Sequence, residues 1–166
     1  MEIATERLVN DLSSAENDVR WAAQEDGALP QVTPADCRPF HGSDLIYRLS
    51  GVPLPVPHLS ALPPIIQHVR WCELVVIAEA NFLISAIAFV LAKLFSRKIL
   101  LVQHVGKPST ASFFASVLSA IAEFVAVRPM LKRADRIVFV SPWVASYFKD
   151  VKQKFRKGAL IGHAID

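Results

Sequence analysis

Apolar and polar positions along this chain switch repeatedly between a helical and a strand-like period. Ala4, Leu8, Leu12 and Ala15 recur at helical spacing and predict a helix over residues 3–15. Residues 19–23, Val-Arg-Trp-Ala-Ala, read as a short strand. Three prolines and a glycine predict a loop over 27–39. A strand is expected over 44–49. The following Gly51-Val-Pro-Leu-Pro-Val-Pro57 is expected to be an extended surface segment, because its prolines remove ladder donors.

The second half is more regular. A helix near 59–70 precedes an apolar strand over 73–78, then a helix over 81–96 that Asn81 can cap. A strand over 98–103 leads to a long helix over 110–133, which Pro129 should kink or split. A strand over 136–140 ends at Ser141-Pro142, a capping hydroxyl followed by proline at the first helical position. A helix over 142–152 and a last strand over 158–166 complete the order. Strands alternating with helices predict an α/β fold built on a parallel sheet, with helices on both faces.

Composition sharpens this picture. The 166 residues fit one domain, and 52% of them are hydrophobic against 20% charged. Strands buried on both faces account for such an excess. The longest apolar stretches, 82–95 and 111–127, contain Lys93 and Glu123 and fall short of a membrane span. No signal-peptide pattern opens the chain, and a cytoplasmic location is expected. Cys37 and Cys72 lack metal-ligand spacing, so a reduced core thiol is expected at Cys72.

Charge is unevenly spread: residues 1–36 carry eight acids and two bases, and the rest sixteen bases and seven acids. Bases gather at Arg97-Lys98, at Lys132-Arg133 with Arg136, and over 149–157. Such clusters suit either solvated helix ends or an anionic surface such as the inner face of a membrane. No motif points to nucleic acid.

In open parallel sheets ligands sit beyond the carboxyl ends of the strands. The polar residues there are Glu79 and Asn81, then His104, Gly106 and Lys107, then Ser141. His104 could donate to a phosphate or a developing alkoxide, or be an ordinary hydrogen-bonded residue at a strand end. Gly106 lets a ligand approach the backbone, and Lys107 adds a cation. Glu79 could act as a base or accept from a sugar hydroxyl, while Ser141 doubles as a helix cap. No phosphate-loop, nucleophile-elbow or zinc pattern occurs, so neither a metal nor a resident cofactor is expected.

Several of these stretches, in this order, resemble the N-terminal, acceptor-side domain of glycosyltransferase family 4, one half of a GT-B fold. Residues 131–141, Leu-Lys-Arg-Ala-Asp-Arg-Ile-Val-Phe-Val-Ser, are similar to the family's L-x-x-A-D-x-V-I-x-V-S pattern. Residues 100–106 resemble its V-V-x-T-x-H-G strand end, and 161–166 stand where I-P-N-G-I-D leads into the donor domain. The start of the chain resembles the family's first helix, without the preceding strand and glycine pair. Val76 and Ala78 stand where the family often has histidines.

The resemblance implies a Rossmann-like sheet with its first strand missing, trimmed at both ends. It also implies retaining transfer from a nucleotide-diphosphate sugar to a glycan or lipid-linked acceptor. On it, His104 takes the role of the family's N-domain histidine beside the donor. The donor-binding domain would be supplied elsewhere, for instance by a separately encoded partner, and the chain alone would be inactive. A non-catalytic binding module and a peripheral membrane fragment are the alternative expectations.

Overall fold

A computed structural model of the chain describes residues 9–13, 15, 17–24, 36–43, 46, 55–106, 113–151 and 159–160. Its centre is a parallel sheet of four strands: β5 (Leu74–Ala78), β6 (Lys98–Gln103), β7 (Arg136–Phe139) and the two-residue β8 (Ala159–Leu160). The strands lie side by side in the order in which they occur along the chain. Two smaller pairings precede them. β1 (Arg20–Gln24) runs parallel to β2 (Asp36–Phe40), and β3 (Gly42–Ser43) pairs antiparallel with β4 (Val56–Pro57).

The connections follow from the strand order. Right-handed crossovers that always step in one direction place their helices on one face of the sheet. The pleat shows this. Ile77, Leu101 and Ile137 pair in register on one face with Ile99 and Phe139, and all five are buried. Against them pack Ile65 and Val69 of α1 (Leu62–Trp71), and Phe89 and Ala92 of α2 (Leu83–Leu94). Val127 joins the same cluster from a π-helical turn (Glu123–Val127) that follows α3 (Phe113–Ala122). Met130 and Leu131 come from α4 (Arg128–Arg133), and Val144 from α5 (Pro142–Tyr147). Burying each such side chain stabilises the fold by roughly 1.5–3 kcal/mol.

On the other face Val76, Leu100, Val102 and Val138 stay half-buried and Leu74 is exposed. The fully buried strand residues therefore concentrate on one face of the sheet. The outer edge of β5 also pairs with no strand among those residues. Arg20 at the start of β1 reaches across to the Trp71 ring, 3.9 Å from its centroid, just ahead of β5.

Several elements differ from expectation for local reasons. Residues 36–39 form β2 and not a loop, and Pro39 is tolerated because a two-stranded ribbon has an open edge on each side. Ile46 is helical, where a strand was expected; the rest of 44–49 lies outside the described residues. Of the predicted first helix, 9–13 and 15 are described: 9–13 are helical and Ala15 is a turn. Asn81 does not cap α2: Phe82 occupies the cap position without a side-chain bond, and the Asn81 amide turns to Glu79. Cys72 follows α1 as a half-buried free thiol, and burial pushes its pKa up.

The long helix runs from Phe113 to Arg133 and is neither split nor capped at Pro129. In the π turn the Arg128 N–H donates to the Glu123 carbonyl, five residues back. The widened turn falls directly ahead of Pro129, which has no N–H and crowds the carbonyl four residues before it. The helix continues through the proline by taking an extra residue into one turn.

Candidate functional site

Glu79 closes β5 with a φ of 102°, a conformation that non-glycine residues rarely adopt. Its N–H continues the ladder to the Val102 carbonyl at 2.8 Å, while its side chain turns inward and is 1% exposed. Four donors converge on the carboxylate. Oε2 accepts the backbone N–H groups of His104 and Val105, both at 3.0 Å, and Oε1 accepts the side-chain amides of Asn81 and Gln103. Burial pushes the Glu79 pKa up, and the donors from Val105, His104, Gln103 and Asn81 offset part of that rise.

Gln103 completes the knot. Its Oε1 accepts the Ala80 N–H at 3.2 Å, and its Nε2 also donates to the Val105 carbonyl at 2.7 Å. The turns after β5 and β6 are thus tied through two buried side chains. The strain at Glu79 is held by these bonds, an arrangement that concentrates at functional sites.

The third strand end meets the same place. Ser141 caps α5, its Oγ accepting the Val144 N–H at 3.2 Å, and Pro142 opens the helix as expected. That helix presents Trp143 over the turn after β6. A Cβ on Gly106 would lie 2.8 Å from Cζ3 of Trp143 and 3.4 Å from Cβ of Tyr147, so only glycine lets the ring settle there. Trp143 stacks on Tyr147 with ring centroids 6.3 Å apart and remains largely exposed.

Below them a polar chain fixes α5 to the long helix. The Tyr147 hydroxyl donates to Glu123 Oε2 at 2.6 Å, and Arg128 bridges Glu123 at 2.7 Å and Asp150. Desolvation and the Glu123 carboxylate push the Tyr147 pKa up to about 12.

The sequence-predicted residues separate into distinct roles. Glu79 and Asn81 serve the loop, the first as its anchor and the second as a donor to that anchor. His104, half-buried, is carried on the anchored turn, and Gly106 is buried beneath Trp143. Ser141 is spent on the cap. Lys107 lies outside the described residues. Sequence reading missed Gln103, whose place at the end of an apolar strand was the available signal, and Trp143, an exposed aromatic directly after a helix cap.

The described residues hold no group of three or more metal-ligating side chains. The strand ends thus carry a hydrogen-bonded pair of turns with half-buried His104 on one and the exposed Trp143 ring beside it. No protein-family model and no curated relative matches the chain.

Proposed function

We propose that this chain is the acceptor-side half of a retaining glycosyltransferase of family 4, a Rossmann-like half of a GT-B fold. The observation that carries the reading is the tie of Glu79 to the His104–Val105 backbone at the carboxyl end of a parallel sheet. It gives His104 a fixed position where open α/β sheets bind ligands. The edge of β5 that pairs with no described strand suits a sheet with a further strand between β1 and β5. In the transfer, the bond from the sugar's anomeric carbon to the diphosphate breaks and a bond to an acceptor hydroxyl forms. The hydroxyl proton leaves with the diphosphate. His104 donates to the sugar or to the reacting oxygens, and Trp143 offers a face for a sugar ring. A glycan or lipid-linked acceptor sits on this half, and a donor-binding domain, separately encoded or fused, supplies the nucleotide-diphosphate sugar. The half works at the inner face of a membrane as a peripheral protein.

The experiment pairs the chain with a family donor domain, fused or mixed, and offers nucleotide sugars with lipid-linked acceptors. Alone the chain transfers nothing, because stabilisation of the transition state needs groups on both walls of the cleft. In the active pair His104→Ala lowers kcat by roughly 10²-fold. An unchanged rate would return His104 to a structural role, and turnover by the isolated chain would overturn the half-enzyme reading.

A further inference from the structure

The long helix carries apolar residues on the wrong side for a core. Phe113, Val117, Ile121, Phe124 and Val125 form one stripe along it, with Phe113 86% and Phe124 74% exposed. The small residues Ser116 and Ala120 beside the stripe are exposed as well, and no charge occurs between Phe113 and Ala122. The opposite face is spoken for by Ala115, Val127, Met130 and Leu131, all buried.

The π turn keeps these two faces in phase. Each helical residue turns the helix by about 100°, so an extra residue in one turn resets everything after it by that amount. Without the reset Leu131 would swing towards the Phe113 stripe. With it Leu131 points inward, and Lys132 continues the stripe with Arg133 alongside, both exposed. The apolar band therefore ends in a pair of cations.

Charge around the band is one-sided. Glu123 and Asp150 are engaged by Arg128, and Asp135 pairs with Lys93 at 3.2 Å. Lys132, Arg133 and Arg136 face outward. Among the described residues no helix is long and apolar enough to cross a membrane. A helix of this make lies in the plane of a bilayer surface, with its apolar side among the acyl chains and its bases at the headgroups.

We infer that the helix Phe113–Arg133 is the membrane-docking element of this protein, seated in an anionic lipid surface through the Phe113–Val125 stripe and the Lys132–Arg133 pair. The inference rests on the peripheral location proposed above and is independent of sugar transfer. It orients the molecule, bringing the turn after β6, which precedes the helix, close to the lipid surface where a lipid-linked acceptor would emerge.

The test is co-sedimentation of the full chain with phosphatidylcholine vesicles made with and without phosphatidylglycerol. The wild-type chain binds the anionic vesicles and binds the neutral ones at least tenfold more weakly. Phe113→Ser with Phe124→Ser lowers binding to anionic vesicles by about tenfold or more while leaving the circular dichroism unchanged. Lys132→Gln with Arg133→Gln lowers it by a similar factor, and added salt reproduces that loss. Val90→Ser with Leu94→Ser, which removes exposed apolar groups on α2, leaves binding intact.

Equal binding by the Phe113/Phe124 variant would overturn the stripe and leave the peripheral location standing. Failure of the wild-type chain to bind either vesicle would overturn both. A dimer that the same substitutions convert to a monomer, with no vesicle binding, would assign the stripe to a second copy of the chain and overturn the lipid assignment.

Discussion

Glu79 shows how one side chain can tie two turns together. Its two oxygens receive four N–H donors, and the two backbone ones, from His104 and Val105, can only donate. Glu79→Gln keeps the size and replaces one oxygen by a further donor, which either faces the two backbone N–H groups or forces the side-chain amides of Asn81 and Gln103 to rearrange. We expect a loss of about 1–3 kcal/mol, measured by urea unfolding, together with faster exchange of the His104 and Val105 amides. An unchanged midpoint and unchanged exchange would show that the loop is held by something else. From the sequence Glu79 could be seen only as an acid after a strand. Its inward turn depends on the positive φ and on Gln103, which no periodicity reveals.

At the scale of elements, the second half of the chain was largely legible because its apolar runs are long and its punctuation strong. β6 was predicted over its full observed span, and the Ser141-Pro142 start was anticipated down to the capping atom. The 131–141 stretch, the most specific likeness to a family pattern, is explained by packing. Leu131, Ala134, Ile137 and Phe139 are core, and Asp135 Oδ2 accepts the Ile99 N–H at 3.0 Å and so links β7 to β6. Such a likeness speaks for a fold more directly than for a chemistry. The π turn was not legible, since an inserted residue leaves no mark in composition and only shifts a phase.

That phase can be tested directly. Deleting Val125, an exposed residue inside the π turn, should restore a regular helix with Val127, Met130 and Leu131 still facing inward. The fold and its melting temperature should then be kept or slightly raised. Inserting one alanine after Val125 should move Met130 into the place of Leu131 and turn Leu131 outward to the place of Lys132, removing about 2–5 kcal/mol for the displaced leucine. Equal stability of the deletion and insertion variants would refute the phase argument.

For the whole molecule, the α/β class and the parallel sheet were readable, whereas the unequal burial of the two sheet faces among the described residues was not. An apolar strand looks the same whether its second face is fully or only partly buried. The first 60 residues were the least legible, because their strands are short, proline-bearing and paired in two-residue or two-stranded ladders. Nothing in an alternation of that length distinguishes β2 from the loop expected there.

The sequential order of β5 to β8 also governs how the chain acquires its structure. Each of these strands pairs with the next one along the chain, so every link closes over a single crossover and the sheet can grow one neighbour at a time. β1 and β2 have no share in that growth. β5 to β7 and their helices should therefore behave as one cooperative unit and the β1–β2 ribbon as another, opening at lower free energy. Native-state hydrogen exchange should find the slowest amides at Ile99, Leu101 and Ile137, and fast exchange at Trp21 and Ala22 well below the global unfolding midpoint. Equal protection in both places would mean that the two sheets open together.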